Sequence, residues 1–576
     1  MKNLIRLKES RTARPVWLSV WAAVVVAALF GAAGIAAAQG NASPDVKAHK
    51  ASHRLENSKF KHPKLKHGEL TIVGTEASDK IALRLQSGQP GVLQVDVGDD
   101  GSADFSFARE RVATIDVDAA AGDDLVRIDE SNGVFTDSIP TTIDGGAGND
   151  TIAGGKGNET LLGGDGNDSI DGNGGNDLAL LGAGDDTFVW DPGDGNDTIE
   201  GQDGTDTMRF NGANVPERVA LSANGNRLTF LRDPGRVTMD TAGVERVDFN
   251  ALGGPDVVFV GDLTGTGVTD VNVDLAGTLG GATGDGQADS VVVDGTNGND
   301  TINVSGDASG VAVSGLAALV AIQHQEPNDA LAVNGLSGND AISAAALAAQ
   351  AITVTLDGGT GDDTIAGGKG IETLLGGDGN DSIDGNGGND LALLGAGDDT
   401  FVWDPGDGSD KIEGQDGTDT MRFNGANVSE QVDLSANGSR LKLFRTQANI
   451  TMDTAGVERV DFNALGGADL ITINDLSGTD VSNVNVDLAG TLGGATGDGQ
   501  PDSVVVNATN NDDTIKVSGD ATEVTAKGVD PFVAIFHAEA ANDRLAINTL
   551  AGTDAVDSSG LAAGAIQLFE DGVLVP

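Results

Sequence analysis

The feature that most constrains this chain is a nine-residue period held in phase over fourteen blocks. From Gly145 the sequence reads GGAGNDTIA, GGKGNETLL, GGDGNDSID, GNGGNDLAL and LGAGDDTFV, then, after the dipeptide Trp190-Asp191, PGDGNDTIE and GQDGTDTMR. The same seven blocks return from Gly358 to Arg422 with Trp403-Asp404 as the insert, and Gly145–Val215 differs from Gly358–Val428 at only five positions. The offset is 213 residues, and a weaker match continues to the C-terminus, with a one-residue insertion raising the offset to 214 near Asn542. A repeat this short cannot enclose a core of its own. It must stack on its neighbours, which predicts a solenoid.

Each position of the nonapeptide has a physical reading. Gly at the first, second and fourth places permits left-handed backbone and leaves carbonyls unobstructed, as a tight turn around an ion requires. The sixth place is acidic and supplies a hard oxygen. The eighth place is apolar (Ile152, Leu161, Ile170, Ala179, Phe188, Ile199, Met208) between polar or variable neighbours, the alternation of a three-residue strand with one buried face. Two nonapeptides then make one coil of two short strands and two turns. Acidic residues eighteen apart share an edge, so that Asp150 faces Asp168, Glu159 faces Asp177 and Asp168 faces Asp186. The predicted fold class is all-β.

Carboxylates stacked at strand spacing, about 4.7–4.9 Å, repel unless a cation lies between them. The formal net charge of −54 points the same way, and it is unevenly placed: residues 1–67 hold twelve Lys or Arg against three acids, whereas the chain from Gly68 on holds 22 basic against 85 acidic residues. So acidic a chain is excluded as a nucleic-acid binder. With no Cys anywhere and no His in the arrays, the donors are carboxylate and carbonyl oxygens. These suit calcium, several ions per array, better than zinc or the strict octahedron of magnesium.

The pattern GGxGxDxUx, U being a large apolar residue, resembles the repeats-in-toxin (RTX), haemolysin-type calcium-binding nonapeptide. The resemblance implies a parallel β-roll in which turn carbonyls and the sixth-position acid hold calcium between successive coils. It implies as ligands Asp150, Asp168, Asp177, Asp186, Asp197 and Asp206 in the first array, and Asp363, Asp381, Asp390, Asp399, Asp410 and Asp419 in the second. Glu159 and Glu372 occupy the same place in the second turn of each array, where Asp is expected. Other departures are Leu181 and Leu394 at the first place, Ala179 and Ala392 as thin core residues, and the Trp inserts, which break the eighteen-residue phase. Asn158 becomes Ile371 in the second copy, so the fifth place of that turn need not be a ligand.

Around the arrays the expected organisation is a signal peptide over 1–38, a basic disordered linker over 39–67 and a β-rich region over 68–143. The first roll follows over 144–210, a β-solenoid flank over 211–356, the second roll over 357–423 and a second flank over 424–576. The apolar run Val16–Ala38, preceded by basic residues and closing on Ala36 and Ala38 as an A-x-A site, reads as a secretory signal cleaved after Ala38, with a retained anchor as the competing reading. Isolated acid-plus-strand pieces at Asp79, Asp124, Asp256, Asp300, Asp340, Asp469 and Asp513 read as structural turns rather than calcium sites, because they keep no fixed period. The cluster Asp96, Asp99, Asp100 and Asp104 loosely matches a calcium loop without the full EF-hand spacing.

Motifs of catalysis are missing from the sequence: there is no H-E-x-x-H, no G-x-S-x-G, no Cys and no Tyr. His324 and His537, in equivalent apolar strands, read as half-buried strand-end residues. The expectation is an exported, non-enzymatic calcium-binding protein that folds on binding the ion outside the cell. Its partners are calcium and surface or matrix polymers, with no nucleic acid and no stable membrane span once the signal is cut. The alternatives are an extracellular enzyme acting on polysaccharide, and a surface adhesin or matrix protein.

Overall fold

The computed structural model describes residues 60–575. The expected signal peptide, its expected cleavage site and most of the expected basic linker lie outside those residues. The end of the basic stretch, Lys64–Lys66, is a strand paired antiparallel with Glu69–Val73.

The alternation of one inward and one outward residue carries through nearly the whole described chain, and it builds two long sheets whose inner faces share one continuous apolar core. Within the arrays successive coils are in register at eighteen residues. Leu161 sits between Ile143 and Ala179 in one sheet, and Ile170 between Ile152 and Phe188 in the other. All these pairings are parallel, as a solenoid that always winds the same way demands. Every eighth-place residue of the first array is fully buried. Ala179 does not leave a void, because Leu181, at the first place of the next block, also points inward and is fully buried.

The flanks are coils of the same solenoid with strands added. After Thr207–Asn211 the chain runs through Arg218–Asn224 and back through Arg227–Asp233 before Val237–Ala242 pairs parallel with Thr198–Asp203. That excursion adds two strands to one sheet. Further on, Thr301–Asp307, Gly310–Ser314 and Leu319–Gln323 form an equivalent antiparallel run in the other sheet, where Leu319–Gln323 pairs with Asp270–Asp274. The second unit repeats both excursions. Each unit therefore contributes ten strands to each sheet, and the two sheets stay level.

The Trp inserts are absorbed without loss of register. Trp190 is fully buried, stacks on Phe210 at 3.9 Å between ring centroids and donates from Nε1 to the Gly195 carbonyl; Trp403 does the same with Phe423 and Gly408. Asp177 consequently meets Asp197 twenty residues on.

Because Ile170 is fully buried between Ile152 and Phe188, a truncation there has little room to relax. Ile170→Ala should cost about 2–5 kcal/mol, read as a lowered denaturant midpoint in saturating calcium, whereas Asn167→Ala on the exposed turn should cost less than about 1 kcal/mol.

Candidate metal centre

Stacking the turns places the acidic side chains in two columns, one on each edge of the solenoid. In every array turn the Oδ1 of the sixth-place Asp accepts the backbone N–H of the acidic residue one coil earlier. Asp150 donates to Asp168 at 2.8 Å, Asp168 to Asp186 at 2.7 Å and Asp186 to Asp206 at 3.0 Å. On the opposite edge Glu159 donates to Asp177 at 2.7 Å and Asp177 to Asp197 at 2.8 Å. The second array repeats the pattern through Asp363, Asp381, Asp399 and Asp419, and through Glu372, Asp390 and Asp410. Fifth-place residues run a second ladder in the reverse sense: Asn167 N–H donates back to Asn149 Oδ1 at 2.8 Å. That role explains why Ile371, 70% exposed, is tolerated, since the substitution costs only one surface clamp.

All fourteen sequence-predicted site residues lie in these columns, and none is more than 4% exposed. In all twelve aspartates the other oxygen, Oδ2, accepts no hydrogen bond and is shielded from solvent. A buried carboxylate oxygen without a partner is costly. In the first array turn it lies against the first-place glycine, where a Cβ on Gly145 would collide with Asp150 Oδ2. A Cβ on Gly164 would collide with the Gly146 carbonyl oxygen, and one on Gly166 with that of Gly148, so the carbonyls of the second and fourth places point at the following turn. Both glycines have left-handed φ, +116° and +133°.

Glu159 and Glu372 fit the column differently. Each begins its ladder, and the longer side chain folds back so that Oε2 accepts the N–H of Gly155 or Gly368 in its own turn. A second pair of glutamates, Glu217 and Glu430, starts the ladder again beyond each array and is buried against Arg232 and Arg445, with Nε to Oε1 at 2.6 Å in both. A third pair, Glu245 and Glu458, closes the other edge by accepting from Asp206 and Asp419.

The isolated acidic turns of the flanks stack as well, in spite of their irregular spacing. Asp79 donates to Asp124 and Asp124 to Asp150, while Asp300 donates to Asp340 and Asp340 to Asp363. Glu217, Asp256, Asp289 and Asp329 form a run on the other edge. Hairpin-length excursions separate them in sequence and leave them adjacent in space. The Asp96–Asp104 loop, by contrast, is a hairpin end held by arginines: Asp96 pairs with Arg84 at 2.7 Å and Asp99 with Arg127 at 2.6 Å. His324 and His537 end their strands, each with Nδ1 2.6 Å from an aspartate Oδ1, of Asp274 and Asp487.

The donors available between turns are thus carboxylate and glycine carbonyl oxygens, the set a hard cation such as calcium takes. Among the described residues no three His, Cys, Asp or Glu side chains gather into a cage. Backbone carbonyls must therefore complete any coordination, with one or two carboxylates.

Burial also moves the acids. Desolvation, followed by repulsion from neighbouring acids, raises Asp168 and Asp381 to about 7 and Asp177 and Asp390 to about 8, against partial relief from the ladder hydrogen bonds. Folding without cations thus takes up protons. Its stabilising share is complete below the ordinary carboxylate range and is lost as pH rises through about 7 to 8. The calcium-stripped chain in metal-free buffer should accordingly lose strand signal in far-UV circular dichroism between pH 5 and pH 8.5. Calcium should restore it at the upper end, and a flat profile would contradict the assignment.

Comparison with known proteins agrees with the geometry. The family model for the RTX calcium-binding nonapeptide repeat (4 copies) matches residues 142–158, 154–188, 193–214, 355–370, 367–401 and 406–427. No curated protein matches the chain. The two stacked arrays are RTX calcium-binding nonapeptide repeats, carried in one β-solenoid.

Proposed function

We propose that this is an exported, non-catalytic protein whose chain stays open at low calcium and folds into the solenoid where calcium is plentiful, outside the cell. The observation that carries the reading is the column of buried Oδ2 atoms with no partner in the protein. Calcium, when bound, supplies the positive charge those oxygens face. Asp150, Asp168, Asp186 and Asp206 on one edge and Asp177 and Asp197 on the other would hold it with the carbonyls of the second and fourth glycines, and the second array would use the corresponding residues. Glu159 and Glu372 act at the head of each column, where their carboxylates brace their own turns.

The energetics suit an extracellular setting. A site with Kd near 10⁻⁴ M, at the tight end for extracellular modules, contributes about 1.4 kcal/mol at 1 mM calcium. Because the sites exist only when coils are stacked, their contributions sum onto one cooperative fold. At cytoplasmic calcium that support is absent and the acidic chain repels itself.

Export rests on the leader. If cleavage follows Ala38, the protein recovered from the medium of producing cells has the intact mass of a chain beginning at Gln39. A mass that includes Val16–Ala38 would favour a retained anchor. Among the described residues no helix is long and apolar enough to cross a membrane.

The two tryptophans of the cleaved chain report folding directly, since Trp190 and Trp403 are fully buried in equivalent places and Tyr is absent. Calcium added to the stripped chain at pH 8 should shift tryptophan emission to the blue in step with a rise in strand signal. Neither signal changing up to roughly 10 mM, ten times the weak end of the extracellular range, would rule out coupled folding.

A further inference from the structure

Four turns outside the nonapeptide arrays share the unusual property of the array aspartates. Asp124 and Asp340 precede the arrays on one edge, and Asp256 and Asp469 follow them on the other. Each is at most 3% exposed. In each, Oδ1 accepts the N–H of the preceding acidic turn, from Asp79, Asp300, Glu217 and Glu430 at 2.6–2.8 Å. In each, Oδ2 is buried and accepts no hydrogen bond. From these observations we propose that calcium sites of the array kind recur outside the nonapeptide arrays, at these four turns, a reading that rests on calcium occupying the arrays themselves.

The backbone agrees. The second place of these turns is Ala120, Leu252, Leu336 or Leu465, none of them Gly, yet φ there is +79°, +68°, +76° and +64°. Left-handed backbone at a Leu is strained. Holding it there keeps the carbonyl path of the array turns, as the first array turn shows: a Cβ on Gly146 or Gly148 would collide with the carbonyl oxygens of Ala120 and Gly122, and one on Gly359 or Gly361 with those of Leu336 and Gly338. Carbonyls from the flank thus face the first turn of each array in the way array carbonyls face one another. On the other edge a Cβ on Gly254 would lie 2.8 Å from the Val215 carbonyl oxygen, and one on Gly467 2.6 Å from that of Val428.

Other stacked flank turns satisfy the second oxygen from within. Asp79 and Asp300 have Thr at the second place, and the N–H of Thr75 or Thr296 donates to their Oδ2 at 2.6 Å. The oxygen that would face the cation is used within the turn. Asp329 and Asp543 are closed in the same manner by the N–H of Glu326 and Glu539. In these turns the second oxygen is satisfied by the turn's own backbone, whereas in the four turns above it is left without a partner.

The test is calcium stoichiometry on the full cleaved chain, by equilibrium dialysis with metal analysis at pH 8. Asn in place of Asp keeps the Oδ1 acceptor and removes the charged ligand. The fourfold variant Asp124→Asn, Asp256→Asn, Asp340→Asn, Asp469→Asn should bind fewer ions, one lost per turn replaced, while the Trp190 and Trp403 emission shift persists. Asp79→Asn with Asp300→Asn should keep the wild-type count. A wild-type count in the fourfold variant overturns the proposal and leaves array binding standing, whereas a wild-type chain that binds no calcium removes the underlying reading first. If the fourfold variant falls short of the wild-type strand signal in calcium, the pairs Asp124/Asp340 and Asp256/Asp469 are measured separately, with the same two outcomes.

Discussion

The hydrogen bond from one turn's backbone N–H to the next turn's aspartate Oδ1 is the contact on which the remainder depends. It fixes the register of each coil on the one before. It also buries a carboxylate whose second oxygen must face a proton or a cation. Parallel pairing, inward apolar residues and stacked glycine carbonyls all follow once the turns are held one above another. The same contact gathers like charges that water would otherwise keep apart.

Much of this was legible from the chain. The nine-residue period gave the coil, the edges and the facing pairs, because a repeat with a strict period leaves one way to stack. The chemistry of the donors was legible too, since arrays without Cys or His offer only oxygen. What stayed hidden came from interruptions of the period. The flank turns at Asp124, Asp256 and Asp340 lie 23 to 45 residues from the acidic turns they stack against, separated by antiparallel excursions or longer loops. Spacing along the chain does not show that such excursions return to the same column.

The glutamates were the other obscure feature. By sequence Glu159 and Glu372 are departures from the repeat. In the structure they are the heads of a column, where no N–H from an earlier acidic turn is on offer and the longer side chain turns back on its own loop. The arginine-bound Glu217 and Glu430 restart the column by similar means, and no periodicity marks them. Leu181 likewise looked like a lost glycine and proves to fill the core beside Ala179.

The paired excursions set how such a chain can grow. One places two surplus strands in one sheet, and the other restores the balance in the opposite sheet a few coils later. Losing either alone would leave the sheets out of step by two rungs, about 9.5 Å, and shear the shared interior. Length can change only by a whole coil or by a whole ten-rung unit. The chain is thus a ruler with two permitted increments, roughly 4.8 Å and 48 Å, and duplication by 213 residues is the larger of them.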